Sequence, residues 1–155
     1  MDLDDFDRKL LSLMQEDAGQ TADRLSESVG LSPSAIQRRL REMGVIERDV
    51  SIVAPQMIGR PTFFVTALSV KQERPEMQLQ LRRSLAQHPQ IQQVYYVTGE
   101  ADFVLIVTAR DAASYNTLMQ RLMAENPNIL RFTTNVVLDT VKRGLSIPIP
   151  ARDDA

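Results

Sequence analysis

A change in hydrophobic period near residue 60 constrains the fold of this chain more than any other feature of its sequence. Before that point, apolar residues recur every three or four positions, as on the buried stripe of an amphipathic helix. After it, β-rich apolar runs alternate with further helical stretches. A length of 155 residues fits one or two small domains. The sequence therefore predicts an α+β protein with a helical N-terminal domain.

Three helices are predicted in the N-terminal domain, which we expect over residues 1–54. Gly30 suits the left-handed end of the second helix, and Ser32 and Pro33 supply an N-cap and a first-turn proline for the third. The apolar stripes are Phe6, Leu10, Leu13 and Met14, then Ala22, Leu25 and Val29, then Ile36, Leu40 and Met43. A tight turn between the last two helices is typical of a helix-turn-helix motif.

Residues 45–55, VIERDVSIVAP, follow the third helix and are predicted to form a short β-hairpin or wing. The N-terminal domain would then be a winged helix-turn-helix. Residues 55–61 begin and end with proline, and we expect them to be the linker to the second domain.

The C-terminal half, residues 62–145, is predicted to form a ferredoxin-like βαββαβ sandwich with both helices on one face of the sheet. Its strands are expected at residues 62–70, 91–97, 102–109 and 130–141, and its helices at 75–87 and 112–124. Because Phe64, Tyr95 and several valines alternate along the strands, we expect a homodimer that covers the other face. Residues 146–155 are interpreted as a tail whose end, ARDDA, is frayed.

Positive charge is concentrated on the third predicted helix of an otherwise acidic domain. Residues 1–60 hold 8 Lys/Arg against 11 Asp/Glu, whereas residues 32–48 hold 4 against 2. The net charge of the whole chain is −2, which argues against a protein that coats nucleic acid through bulk positive charge. Any DNA binding must therefore come from locally placed cations.

The third helix is predicted to bind double-stranded DNA through the face opposite its apolar stripe. Arginine there bridges guanine or binds phosphate, glutamine pairs with adenine, and serines near the helix start bind phosphate oxygens. The residues on this face and its flanks are Ser32, Ser34, Gln37, Arg38, Arg39 and Arg41. The alternative interpretation is a solvated helix face, but the preceding turn and N-cap favour the DNA-binding one.

Other residue types argue against an enzyme. The chain has no cysteine, and its single histidine, His88, precedes a proline at a predicted helix end. The acidic N-terminus differs from a signal peptide, and no apolar run is long enough to span a membrane. We therefore expect a cytoplasmic, nucleoid-associated protein without cofactor or metal.

Four segments together resemble the Lrp/AsnC family, the feast/famine regulators. They are LDDFDRKLLSLMQED, LSESVGLSPSAIQRRL, GVI and, in the second half, VTGEADFVLIV, and the resemblance covers about residues 2–145. It implies a bacterial or archaeal transcription factor with a DNA-binding N-terminal domain. It also implies a C-terminal domain that binds small effectors, usually amino acids, and forms dimers that often associate into octamers.

The resemblance also assigns an effector site. The family's Gly-x-x-Asp hairpin, which helps to hold the amino-acid ligand, matches residues 99–102. The candidate effector-binding residues are Thr98, Gly99, Glu100, Ala101 and Asp102, with Thr133 and Thr134 as second-tier candidates. An ordinary hairpin turn is the alternative, because glycine supplies a positive φ there without any ligand.

The third helix departs from the family pattern at its C-terminal end. Relatives have roughly three more residues between the apolar position of Met43 and the glycine that precedes Val45. The shortening leaves the N-terminal turns intact, which usually read bases, but puts the position of Arg41 in doubt.

Two other functions are compatible with parts of the pattern. Sirohaem decarboxylases resemble this chain in their two-domain architecture. They are expected to use several histidines, whereas this chain has one. An RNA-binding βαββαβ module would need paired exposed aromatic residues on its third strand, and FVLIVTA lacks them.

Overall fold

The computed structural model describes residues 3–59 and 61–150 and contains two compact units. Within the described residues, one unit comprises residues 3–52 and 142–150, and the other comprises residues 53–59 and 61–141. The first unit is therefore discontinuous in sequence.

Three helices form the N-terminal unit: α1 (Asp5–Glu16), α2 (Ala22–Val29) and α3 (Pro33–Met43). Side chains cap all three, since Asp4, Thr21 and Ser32 each accept a hydrogen bond from a backbone N–H three residues on. Gly30 ends α2 at φ +82°, which confirms the predicted turn. The buried core consists of Leu10, Leu11, Leu25, Val29, Ile36 and Met43.

The predicted hairpin or wing is not formed, because residues 44–54 contain neither helix nor strand in this structure. Ile46 packs against the N-terminal core, but most apolar residues of the segment stay in solvent: Val50 is 59% exposed and Ile52 71% exposed. A two-stranded hairpin is marginal without a surface to pack against, which explains its absence. The chain continues through a short 3-10 turn at Pro55–Met57.

Part of the predicted tail packs against α1. The Gln15 amide accepts a hydrogen bond from Ile147 N–H (2.8 Å) and donates one to the Ile147 carbonyl (2.9 Å), while Arg8 donates to the Pro150 carbonyl. Ile149 packs against the core of the N-terminal unit. The frayed end predicted for ARDDA lies outside the described residues.

The second unit follows the predicted βαββαβ order. Its elements are β1 (Thr62–Val70), α4 (Pro75–Gln87), β2 (Ile91–Tyr96), β3 (Phe103–Ala109), α5 (Ala112–Glu125) and β4 (Ile129–Val136). All three strand pairs are antiparallel and the sheet order is β2-β3-β1-β4, which confirms the ferredoxin-like sandwich. The last strand was predicted at residues 130–141 but spans Ile129–Val136, and its pairing with β1 ends where Val136 lies opposite Phe64. Leu138 is consequently 96% exposed.

The two faces of the sheet differ. On the face toward the helices, Phe64 and Leu68 of β1 are buried beside Val107 and Phe103 of β3. Phe64 therefore belongs to the core and not to the face expected to meet a second copy. The opposite face presents half-buried apolar side chains, namely Val65, Ala67, Val104 and Ile106, with Tyr95 next to Val104. Neither helix of this unit covers that second face.

Candidate functional site: the exposed face of α3 and the 97–102 hairpin

The exposed face of α3 carries five of the six predicted DNA-binding residues. Ile36 and Met43 anchor the helix in the core, so the opposite side faces solvent. Ser32, Ser34, Gln37, Arg38 and Arg41 are all exposed. This set combines two guanidinium groups, one amide and two hydroxyls on about three turns of helix.

The start of α3 is ordered by its own hydroxyl groups. Ser32 Oγ accepts a hydrogen bond from Ala35 N–H at 3.3 Å and lies 3.2 Å from Ser34 Oγ. Ser26 Oγ donates to the Leu31 carbonyl, which fixes the turn between α2 and α3. Pro33 has no N–H, and the N–H groups of Ala35 and Ile36 donate to Ser32, so the Ser34 N–H and the two serine hydroxyls are the polar groups at this exposed helix start, where an anion is favoured.

Arg39 differs from the other predicted DNA-binding residues because its side chain is engaged within the unit. Its Nη1 lies 2.7 Å from Asp4 Oδ2 and 2.7 Å from Asp7 Oδ1, and its side chain is 25% exposed. The hydrogen bond to Asp7 raises the pKa of Arg39. The backbone hydrogen bond from Asp7 lowers the pKa of Asp4, and Arg39 lowers it further.

The end of α3 is as short as the sequence predicts. Met43 is its last residue, and Gly44 follows in the left-handed conformation at φ +59°. Arg41 lies in the last turn and remains exposed, so the early end of the helix does not bury it. The N-terminal turns, which carry the serines, are complete.

The predicted effector hairpin joins β2 to β3. Val97 N–H donates to the Asp102 carbonyl at 2.9 Å and closes the turn, while Gly99 adopts φ +123°. Thr98, Gly99 and Glu100 are exposed, and Ala101 is half-buried. Backbone polar groups are thus available at the tip of the hairpin.

Asp102 holds the end of β1. Its Oδ2 accepts a hydrogen bond from Val70 N–H at 2.7 Å, and its own N–H donates to the Leu68 carbonyl at 3.0 Å. The register of β1 and β4 shifts between Ser69 and Val70, so this carboxylate satisfies a donor at an irregular point of the sheet. At least one of its oxygens therefore has a structural partner.

Thr133 and Thr134 face opposite sides of the sheet, since successive side chains of a strand alternate. Thr134 pairs with Thr66, and its Oγ1 lies 2.6 Å from the Tyr115 hydroxyl. That hydroxyl is 2.7 Å from Thr66 Oγ1, which is fully buried. Thr133 is exposed and pairs with Ala67 of the opposite face. The structure does not bring these two threonines to one site.

This chain of three hydroxyls was missed from the sequence. Thr66 sits in the alternating run TFFVTALSV at a position that faces the core, and this inward-facing threonine was the available signal. Its partner, Tyr115, lies in α5, the second helix predicted for this half of the chain. The chain satisfies polar groups that would otherwise be unpaired in a packed interior.

The single histidine lies at the end of α4, as predicted. His88 is the C-cap residue of that helix, and its Nε2 lies 3.7 Å from Glu125 Oε2. One chain supplies no second histidine, so the set expected of a sirohaem decarboxylase is not present. Within residues 3–59 and 61–150, no helix is both long and apolar enough to cross a membrane.

Comparisons with known proteins match both units. The AsnC-type helix-turn-helix domain matches residues 3–43, and the Lrp/AsnC ligand binding domain matches residues 62–147. The HTH-type transcriptional regulator y4tD of Sinorhizobium fredii is 43% identical over 152 residues, which cover 96% of this chain and 90% of that protein.

Two solved structures agree with these matches. An AsnC family transcriptional regulator from Agrobacterium tumefaciens has a TM-score of 0.88 at 25% identity, covering 94% of this chain and 97% of that one. The leucine response regulatory protein of Mycobacterium tuberculosis has a TM-score of 0.80 at 26% identity, covering 96% and 100%. The chain therefore belongs to the Lrp/AsnC family and is a DNA-binding transcriptional regulator with a ligand-binding domain.

Proposed function

We propose that this regulator recognises specific DNA sequences through the exposed face of α3. The observation that carries the proposal is the concentration of Ser32, Ser34, Gln37, Arg38 and Arg41 on one solvent-facing side of a helix that follows a tight turn. In helix-turn-helix proteins, the second helix of the motif enters the major groove. In a homodimer, two copies of α3 would reach successive major grooves.

Each side chain on this face has a chemically suited partner on DNA. Arg38 and Arg41 present forked donors for guanine O6 and N7 or for phosphate, and Gln37 matches the N6 and N7 edge of adenine. The Ser32 and Ser34 hydroxyls, together with the Ser34 N–H at the helix start, suit a phosphate. Arg39 is not part of this set, because two carboxylates bind it.

The DNA interface is tested by replacing Arg38 with alanine. Binding to an operator selected by the wild-type protein should weaken by about 1–3 kcal/mol, the usual worth of one bidentate base contact. Arg83→Ala on the exposed side of α4 is the matched control and should bind normally. Fluorescence anisotropy at fixed salt measures both, and unchanged affinity of Arg38→Ala would contradict the proposal.

We also propose that the open face of the sheet forms the homodimer contact and that dimers associate further, to octamers. Val65, Ala67, Val104 and Ile106 form a continuous apolar patch there, which a second copy would remove from water. Ile106→Glu should dissociate the dimer, whereas Gln80→Glu, which adds the same charge to the exposed face of α4, should not. Sedimentation velocity distinguishes the two outcomes.

The proposed effector is an amino acid bound at the hairpin of residues 98–102. The support is the match to a ligand-binding domain, the exposed backbone around Gly99, and a relative named for its leucine response. An amino acid would shift assembly by favouring one association of dimers. Thermal-shift measurements with the twenty amino acids should show stabilisation by a few of them, and Thr98→Val with Glu100→Ala should reduce it. Equal melting temperatures with all twenty would argue against an amino-acid effector.

A further inference from the structure

We propose that Arg39 is a positioning residue, which holds α3 on the first turn of α1 and supports DNA affinity without touching DNA. The inference rests on the proposed DNA-binding role of α3. The sequence alone places Arg38 and Arg39 in one class. We assign contact with DNA to Arg38 and the positioning of α3 to Arg39.

The carboxylates of Asp4 and Asp7 each divide their two oxygens between two tasks. Asp4 Oδ1 accepts from Asp7 N–H at 2.8 Å, and Asp7 Oδ2 accepts from Asp4 N–H at 3.1 Å, which forms a reciprocal cap of α1. The remaining oxygens, Asp4 Oδ2 and Asp7 Oδ1, both bind Arg39 Nη1 at 2.7 Å. Arg39 therefore contacts the same pair of side chains that starts α1.

The position of Arg39 on α3 agrees with this role. At 100° per residue, Arg39 lies about 140° from Ser34 around the helix and only about 40° from the buried Met43. Its guanidinium carbon also stands 5.7 Å from the centre of the Phe6 ring, within the range of a cation–π contact. Phe6 was predicted on the apolar stripe of the first helix but is 43% exposed, and its ring faces the Arg39 guanidinium.

The electrostatics of the cluster make Arg39 a poor partner for phosphate. Two carboxylates and one guanidinium carry a net charge of −1, and the Asp7 side chain is only 15% exposed. To reach DNA, Arg39 would have to break two charge-assisted hydrogen bonds. The carboxylates of Asp4 and Asp7 would then lose their counter-charge and repel the phosphates. Without Arg39, the same carboxylates would repel each other across the first turn of α1.

The sign of one mutational effect distinguishes positioning from contact. If Arg39 bound phosphate, Asp7→Asn would release it and remove a repelling charge, and DNA affinity would rise. If Arg39 positions α3, Asp7→Asn weakens the link to α1, and affinity falls although a negative charge has been removed.

The experiment measures operator affinity of the full chain by fluorescence anisotropy over a series of salt concentrations. Asp7→Asn and Arg39→Gln should each weaken binding by about tenfold, comparable to the loss of one base contact. The double variant should be no weaker than either single one, because both remove the same link. Neither single variant should change the slope of log affinity against log salt concentration. That slope becomes shallower by about 0.9 for each phosphate contact removed, and neither variant removes one.

Asp5→Asn is the matched control, because Asp5 is exposed in the same turn and takes no part in the hydrogen bonds that join Asp4, Asp7 and Arg39. It removes the same charge and should leave affinity equal or slightly higher. Arg39→Lys, which keeps the charge but loses the planar guanidinium, serves as a milder variant should Arg39→Gln unfold the unit. Circular dichroism confirms the helical content of each variant.

Unchanged or higher affinity of Asp7→Asn, or a reduced salt slope of the folded Arg39 variant, would overturn the inference. A failure of the proposed function gives a different pattern. In that case Arg38→Gln would leave both affinity and salt slope unchanged, whatever the Asp7 variant does. The two results are therefore read independently.

Discussion

The two units reach stability by different means. Among the described residues, the core of the C-terminal unit contains fourteen buried apolar side chains between a sheet and two helices, whereas the core of the N-terminal unit contains six. In the smaller unit, the ion pairs of Arg39 and the contacts of Ile147 and Ile149 with α1 and the core add to the side-chain caps of its three helices. The exposed face of α3 in the smaller unit carries polar residues. In the larger unit, one apolar face of the sheet is not covered by its helices and is proposed to form the homodimer contact. A small core held by polar links suits a helix that must present a defined face to DNA.

The largest expected effect is a cavity in the larger core. Phe103 is fully buried between β3 and the helices, so Phe103→Ala should lower the free energy of unfolding of the C-terminal unit by about 3–5 kcal/mol. Leu138→Ala, at a residue that is 96% exposed, should change it by less than about 0.5 kcal/mol. Denaturant unfolding with hydrogen exchange in β1 and β3 measures both, and a small effect of Phe103→Ala would contradict the packing described here.

A smaller effect is expected from removing the C-terminal segment. A chain that ends at Gly144 loses the two hydrogen bonds of Gln15 to Ile147 and the packing of Ile149. The N-terminal unit should be destabilised by about 1–3 kcal/mol, while the C-terminal unit should not change. Hydrogen exchange in α1 and α2 reports the stability of the N-terminal unit, and hydrogen exchange in β3 reports that of the C-terminal unit. Equal loss in both units would mean that the segment does not belong to the N-terminal one.

The smallest effect concerns acid stability of the C-terminal unit. Asp111 caps α5, and hydrogen bonds from Ser114 lower the pKa of its carboxyl from 3.8 to about 2, with a further contribution from Arg110. Because the folded pKa lies below the unfolded one, the stabilisation is complete above pH 3.8 and is lost as the pH falls toward 2. Asp111→Asn retains a capping side chain without a charge, so its melting temperature should depend less on pH in this window. Thermal melts between pH 2 and 6 test this, and parallel curves for both proteins would contradict it.

The structural features that depend on residues close together in the sequence could be predicted from local patterns. The three N-terminal helices, the cap at Ser32, the early end at Gly44 and the βαββαβ order follow from hydrophobic period and turn chemistry, and the structure confirms them. The exposed face of α3 was likewise visible, because a helical projection places each side chain relative to the buried stripe.

The features that were missed depend on residues far apart in the chain. Arg39 is paired with Asp4, thirty-five positions away, and Gln15 with Ile147, 132 positions away. No period or motif connects such partners. Asp102 shows the same limit, because its carboxylate serves Val70 of another strand, which only the sheet register reveals. The missing wing has a further cause, since alternating apolar residues form a hairpin only where a surface covers them.

The central claim is that the exposed face of α3 reads DNA sequence, and the ratio of operator affinity to affinity for a scrambled duplex tests it most directly. Loss of a base contact lowers this ratio, whereas loss of a phosphate contact weakens both duplexes alike. A double variant, Gln37→Ala with Arg38→Ala, should lower the ratio by at least about tenfold in a folded protein. A ratio equal to that of the wild-type protein would show that α3 does not read the sequence.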